Sequence, residues 1–394
     1  MKIRLPGGFQ ASGIISGIKK NGKKDLGLIY SNIPAHAAGV FTANCVQAAP
    51  VLLDKERIRT GRCQAILANS GCANCCTGDQ GLDDAKKTAS WIASGLTIPE
   101  GLVLVASTGV IGEYLPVGKI ESAVPNLIDS LSSGGVFDFA EAIMTTDTVP
   151  KVVSRRGEIN GKSYTITGIA KGAGMIHPDM ATLLCFLCTD IKTTSGVLHR
   201  MLSKSIRRSL NRITVDGDTS TNDTALILAN GFSGVSVETR DEEGLFQNRL
   251  DDVLLQLAKE LVRDAEGATK AVEIIVRGSE SDDKARRVAD TIAGSNLVKT
   301  ALFGEDANWG RIIAAAGRSG VSIDPDKTDI YFDDVLMVKN GCGCGKDAEA
   351  RATYVLKKPE FRVIIHLGKG EGSASVLTCD LSIDYVKINA NYRS

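Results

Sequence analysis

Lys171-Gly-Ala-Gly-Met-Ile-His-Pro-Asp-Met180 runs directly into Ala181-Thr-Leu-Leu-Cys-Phe-Leu-Cys-Thr-Asp190. A glycine-rich loop containing a proline thus feeds an apolar run, rich in Leu, Phe and Cys, that Thr189 and Asp190 close. A short apolar run bounded by turn residues predicts a buried strand. Thr182 lies at the joint, with only the small Ala181 before it, so its hydroxyl is expected to be held rigidly at the strand's mouth. Upstream, Val152 to Glu158, a turn at Asn160-Gly161 and Ser163 to Ala170 predict a hairpin, since Asn-Gly favours two-residue turns. The loop therefore springs from ordered sheet.

Further elements follow on both sides. Gly13 to Ile18, a turn at Asn21-Gly22 and Leu26 to Tyr30 predict a hairpin, with another strand at Gly39 to Thr42. Val51 to Arg59 predicts a helix, Gln64 to Ala68 a strand, Asp83 to Ala93 an amphipathic helix and Leu102 to Ala106 a strand. Helices are expected at Leu115 to Leu131 and from Phe139 to Met144. The strand ending at Ala68 leads into Asn69-Ser-Gly-Cys-Ala-Asn-Cys-Cys-Thr-Gly78, either a ligand-facing loop of small and amide residues or a turn with Thr77 as helix N-cap. The strand ending at Ala106 leads into Ser107-Thr-Gly-Val-Ile-Gly112. By itself that segment fits a tight turn or an oxyanion hole, because glycine lets backbone N–H groups approach a reacting carbonyl. Beyond the central strand, Val197 to Leu210 predicts a helix whose basic face is read as solvated. The oxygen-dense run from Thr214 to Thr224 looks like a calcium loop but lacks the closing glutamate. Leu245 to Asp264 predicts a long helix and Ala271 to Arg277 a strand. After Gly278 to Lys284, a polar break, helices are expected at Lys284 to Ala293 and Trp309 to Ala316. Strands are expected at Asp329 to Phe332, Val335 to Val338, Phe361 to His366, Ser373 to Cys379 and Tyr385 to Asn389. The pattern predicts an α/β (α+β layered sandwich) fold, with a larger domain over 1–278 and a smaller α+β domain over 279–394. A chain of 394 residues exceeds what one core supports.

Forty-six basic residues balance 46 acidic ones, so no global field would gather nucleic acid or an anionic membrane; small neutral or zwitterionic substrates fit better. The N-terminal residues lack a signal peptide's apolar core, and no segment approaches the roughly 20 apolar residues that span a bilayer. A cytoplasmic protein is expected. Cysteines cluster at Cys72, Cys75 and Cys76, at Cys185 and Cys188, and at Cys342 and Cys344. Without a signal peptide they are expected to be reduced. Residues three apart on a strand point to opposite faces, so Cys185 and Cys188 are not expected to chelate one metal.

Six motifs occur in a fixed order: STGVIG from Ser107, TTDT from Thr145, KGAGM with Pro178 and Met180-Ala-Thr182, DGDTSTND from Asp216, FGEDANWGR from Phe303 and INANYRS from Ile388. In that order, over the chain from the first hairpin to its last residue, they resemble the ornithine acetyltransferase (glutamate N-acetyltransferase) family. The resemblance implies a DmpA/ornithine-acetyltransferase-like fold and self-cleavage between Ala181 and Thr182, which frees Thr182 as the nucleophile. It implies an oxyanion hole at Thr108 and Gly109, and substrate binding by Thr148, Lys171, Thr182, Glu266, Asn389 and Ser394, with the C-terminal tail closing the pocket. It further implies acetyl transfer from N-acetylornithine to glutamate through an acetyl-threonine ester in cyclic arginine biosynthesis, and the two fragments assembled as α2β2. The DGDTSTND run is expected to scaffold the nucleophile. Acetyl-CoA is a possible co-substrate, although no phosphate-cradling motif marks a coenzyme site. Cys72 and Asp179 stand where the family commonly has Asn. A self-cleaving amidase or aminopeptidase that passes its acyl group to water is the alternative.

Overall fold

The computed structural model describes residues 3–177 and 183–391. Among these, contacts divide the chain into two units: residues up to Asn211 with Asp218–Leu261, and Arg212–Gly217 with the residues from Val262 onward. The fold is α/β, each unit being built on its own sheet with helices against it.

In chain order the first unit's strands are β1 (Phe9–Ile14), β2 (Leu26–Phe41), β3 (Arg62–Cys72), β4 (Val103–Val110), β5 (Lys151–Ile159), β6 (Lys162–Lys171) and β7 (Leu184–Thr189); β8 (Ile213–Thr214) belongs to the second unit, and β9 (Thr224–Ala229) returns to the first. The sheet order is β4-β3-β2-β9-β7-β6-β5, with β1 against β2. The pairs β3·β4 and β7·β9 are parallel and the other neighbours antiparallel. Helices α1 (Ala49–Arg57), α2 (Gly78–Leu96), α3 (Val117–Asp129), α4 (Val136–Ile143) and α5 (Ser195–Arg208) lie between these strands in the chain, and α6 (Arg240–Arg263) follows β9.

Both faces of β3 and β4 are covered. Ile66, Ala68, Leu104 and Ala106 face a cluster with Val136, Phe139 and Ile143 of α4, while Ala65, Leu67, Val103 and Val105 face residues of α2 and α3. Two-sided burial is why these strands read as continuous apolar runs. The same holds for β7, whose six residues are all buried; Phe186 meets Phe139 edge to face, centroids 5.4 Å apart. The hairpin at Asn160-Gly161 forms as expected. The strands expected at Leu26 to Tyr30 and Gly39 to Thr42 are one strand, β2, whose register shifts between Tyr30 and Ala35. Pro34 sits in that exposed irregularity, where its missing N–H costs no ladder bond.

The second unit's sheet runs β13 (Cys342–Gly343), β12 (Val335–Lys339), β11 (Asp329–Phe332), β14 (Glu360–His366), β10 (Ala271–Ser279), β15 (Gly372–Cys379), β8. Its helices are α7 (Asp282–Ala293), α8 (Asn296–Phe303), α9 (Trp309–Gly317), α10 (Lys346–Leu356) and α11 (Ile383–Asn391). Strand β10 lies between β14 and β15, so the polar break at Gly278–Lys284, where a boundary was expected, falls inside this unit. It is a strand-to-helix turn in which Ser281 caps α7 by accepting from Lys284 N at 3.3 Å. Tyr385 to Asn389, expected as a strand, is helical. Ser382 Oγ accepts from Tyr385 N at 3.2 Å while donating to Gly267 O at 2.6 Å, and such local caps start helices.

Candidate active site

Strand β4 ends at Ser107-Thr-Gly-Val110 against the end of β3, where the register shifts and Cys72 opposes both Thr108 and Val110. Gly71 (φ 102°) and Gly109 (φ 133°) face each other across this bulge. A Cβ on Gly109 would overlap the backbone of Gly71 and Cys72, so only glycine lets the two strands approach here. Thr108 is buried at this turn. Its neighbour Ser107 donates from Oγ to Asn69 Oδ1 at 2.6 Å, and Asn69 Nδ2 donates to Cys72 O at 2.9 Å. Thr77, a helix N-cap in one of the two readings of this loop, stands at the N-cap position of α2 but makes no side-chain capping hydrogen bond; its hydroxyl donates to Asn74 Oδ1 instead.

Two consecutive side chains from the DGDTSTND run join this turn to the start of β7. Asn222 Nδ2 donates to Ser107 O at 2.8 Å and to Ala73 O at 2.7 Å. Asp223 Oδ1 accepts from Leu183 N at 2.7 Å, and the Leu183 carbonyl accepts from Thr224 N at 3.1 Å. Ser107 precedes Thr108 and Leu183 follows Thr182, so one dipeptide orients the backbone beside both. Ala181 and Thr182, with Pro178, Asp179 and Met180, lie outside the described residues, as does Ser394.

On the other side of the loop, Lys171 is buried at the end of β6, paired with Leu184. Asp147 Oδ1 accepts from Lys151 Nζ at 2.7 Å and from Gly172 N at 2.8 Å, and its Oδ2 accepts from Thr145 N at 3.0 Å. Burial alone would push the Asp147 carboxyl up; the cations Lys151 and Lys171 and these hydrogen bonds outweigh it and hold it below the usual carboxylate range. The carboxylate pins the first residue of the loop and balances the buried cations. Thr148, one residue on, is exposed.

Lys19 completes the cluster. Burial, with the nearby Lys23 and Lys171, lowers its ammonium to about 8 despite Asp25 and Asp147. Its side chain packs over Gly71, and its Nζ donates to Lys24 O at 2.7 Å. Lys19, Asp147, Lys151, Asn69, Asn222 and Asp223 were not singled out from sequence. Lys19 carried no signal, being one lysine among several beside an Asn-Gly turn. Asp147 and Asp223 lay inside quoted motifs, where an acid between small polar residues was the available hint.

In the second unit, Glu266 and Asn389 come together, Asn389 Nδ2 donating to Glu266 Oε2 at 2.7 Å. Gly267 holds φ 66° beside them, and a Cβ there would overlap Tyr385 N. Cys188 shares a core cluster with Leu184 and Phe186 from which Cys185 is absent. Burial pushes the Cys185 thiol up to about 12 and raises Cys188 as well, which disfavours the thiolates a metal needs. Among the described residues no group of three or more His, Cys, Asp or Glu side chains is placed to hold a metal ion, and no helix is long and apolar enough to cross a membrane.

The chain resembles proteins named arginine biosynthesis bifunctional protein ArgJ. That of Geobacter sulfurreducens is 53% identical over 389 residues, spanning 98% of this chain and 99% of the relative. That of Caldanaerobacter subterraneus is 48% identical over 100% of this chain and 98% of the relative. A solved structure of ornithine acetyltransferase complexed with ornithine, from Mycobacterium tuberculosis, is 39% identical and covers 45% of this chain and 93% of its own, with a TM-score of 0.40. The model of the ArgJ family matches residues 10–394. With identity near one half sustained along the whole length, this chain belongs to the ArgJ family.

Proposed function

We propose that this protein is a glutamate N-acetyltransferase of arginine biosynthesis, which moves an acetyl group from N2-acetyl-L-ornithine to L-glutamate through an ester on Thr182. The observation that carries the site assignment is the Asn222-Asp223 dipeptide, which holds the backbone next to Thr108 and next to Thr182 at once.

Maturation comes first. Thr182 Oγ attacks the Ala181 carbonyl, and the developing oxyanion is met by donors at Thr108 and Gly109, worth roughly 3–4 kcal/mol for one well-placed donor. Collapse shifts the acyl group from N to O, and water cleaves the ester, leaving a free α-amine on Thr182. That amine has a reference pKa of about 7.7–8.0 and serves as the base that a threonine hydroxyl needs. Lys171, as a nearby cation, favours its neutral form by like-charge repulsion.

Transfer repeats the same geometry. The hydroxyl attacks the acetyl carbonyl of N-acetylornithine, its proton passes by way of the amine to the leaving nitrogen of ornithine, and the acetyl-threonine ester remains. The α-amine of glutamate then attacks the ester and takes the acetyl group. Thr148 and Lys171 are proposed to bind substrate in the first unit. In the second, Glu266, oriented by Asn389, is proposed to meet the substrate cation, with Ser394 contributing from the tail. Every bond made or broken is at an acyl carbon, so no resident cofactor is required; acetyl-CoA would act as a second donor, detected by glutamate-dependent release of free CoA. Assembly of the fragments as α2β2 and a cytoplasmic location belong to the same reading.

The test is release of ornithine from N-acetylornithine with and without glutamate. Release that rises with glutamate, with N-acetylglutamate formed in equal amount, supports the transferase. Release at the same rate without glutamate, yielding acetate, would establish the hydrolytic amidase instead.

A further inference from the structure

The loop between β3 and α2 carries a pair of thiols that acyl transfer does not use. Cys75 and Cys76 are consecutive, yet their Sγ atoms lie 3.8 Å apart. On a strand, consecutive side chains point to opposite faces. Here the chain turns instead, with Asn74 at φ 48° and Cys76 at φ 59° on either side of Cys75. Cys75 is buried among Ala48, Val51 and Ala73, and Cys76 is exposed.

The peptide unit between the two cysteines is also a structural anchor. The Cys75 carbonyl accepts from Gly112 N at 3.0 Å, and Ala73 N donates to Val110 O at 2.9 Å. These bonds fasten the loop to the segment carrying Thr108 and Gly109. A disulfide between adjacent cysteines would form an eight-membered ring containing this same peptide unit. Adjacent Cα atoms are about 3.8 Å apart, short of the usual span of about 4.4–6.8 Å for disulfides. Closing the ring therefore twists the unit whose oxygen holds Gly112.

We propose that Cys75 and Cys76 form a vicinal dithiol that small-molecule disulfides oxidise reversibly, and that ring closure loosens the turn from Ser107 to Gly112 and so lowers acyl transfer. The effect on transfer rests on the function proposed above; the ring and its structural effect do not. The exposed Cys76, as thiolate, attacks a disulfide RSSR, forming Cys76–S–SR and releasing one RSH once the thiolate takes a proton. Cys75 then loses its proton and attacks Cys76 Sγ, expelling the second RSH. In sum two protein thiols are oxidised and one disulfide is reduced to two thiols. Strain in the ring keeps it easily reducible, as expected of labile, regulatory disulfides.

The test treats the purified full-chain protein with bis(2-hydroxyethyl) disulfide and follows three readouts. Peptide mass spectrometry should show the segment with Cys75 and Cys76 lighter by two hydrogens, whereas the exposed Cys45, Cys342 and Cys344 gain a thiol fragment. Amide exchange at Gly112 should accelerate about tenfold or more, and acetyl transfer should fall by a similar factor, both restored by dithiothreitol. Cys75→Ala, or the closer-sized Cys75→Ser, should form no ring and keep its Gly112 exchange and transfer rate through the same treatment. The proposal is overturned if that segment never loses two hydrogens, or if it does so with exchange at Gly112 unchanged. A protein with no transferase activity before treatment would instead refute the proposed reaction, while mass and exchange would still decide the dithiol.

Discussion

Around β10 in the second unit, Val272, Ile274 and Val276 pack into a core filled by aliphatic side chains of α7, α9 and α10. At the strand ends of the first unit, Asn69, Ser107, Asp147, Lys151, Asn222 and Asp223 are just as buried, but each is matched to a donor or acceptor. Apolar burial stabilises at roughly 25 cal/mol per Å² whatever its orientation. Buried polar groups contribute little net and cost heavily when unmatched. The difference shows where orientation, and not adhesion, is the requirement: the polar cluster fixes two backbone segments that chemistry would need in register.

Substitutions can break this contrast. The largest expected effect is at the Lys151–Asp147 pair, whose side chains are almost fully buried. Lys151→Met leaves a buried carboxylate without its closest cation, and urea unfolding should show a loss of about 3–5 kcal/mol. The Asp147 carboxyl is held below its unfolded value. Its stabilisation is therefore present above about pH 3.9 and is lost as pH falls through the lower folded value, so the deficit of Asp147→Asn should shrink in acid. Next comes Asp223→Ala, which frees Leu183 N. Self-cleavage, timed on a denaturing gel, should slow about 10²-fold or more; an unchanged time course would mean that the clamp orients nothing of consequence.

Ile274→Val in the second unit is the sharpening control. It should cost about 0.5–1.5 kcal/mol in unfolding and leave the cleavage time course and kcat/KM at wild-type values. A comparable loss of rate from this core change would erase the distinction between the two regions. The smallest effect is a shifted titration. Competitive labelling with acetic anhydride should modify Lys19 with a midpoint at about 8, while exposed lysines label near 10.4; a midpoint above about 10 for Lys19 would remove it from the cluster.

Much of the fold was readable because β3, β4 and β7 are buried on both faces and so stand out as apolar runs, while β10 alternates, burying Val272, Ile274 and Val276 and leaving Arg277 exposed. Tyr385 to Asn389 misled because its alternating pattern belongs to a helix that leaves Ile383 and Val386 exposed, and the deciding contact is a cap from Ser382. The second unit also takes in β8, two residues paired with β15, too short for any periodicity to register. At the site, motif order pointed to Thr108, Gly109 and Lys171. The Asn222 and Asp223 contacts were not readable, because they join segments more than a hundred and about forty residues away in the chain, and no local pattern encodes such a partner. Lys19 was invisible for the same reason.

The central claim is that Thr182 becomes an acylated nucleophile after the chain cuts itself. Intact-mass measurement of the purified protein incubated with N-acetylornithine and no glutamate tests it most directly. Two fragments, 1–181 and 182–394, with the second heavier by one acetyl group and relieved of it on adding glutamate, is the predicted result. A single uncut chain that never gains an acetyl group would contradict the account.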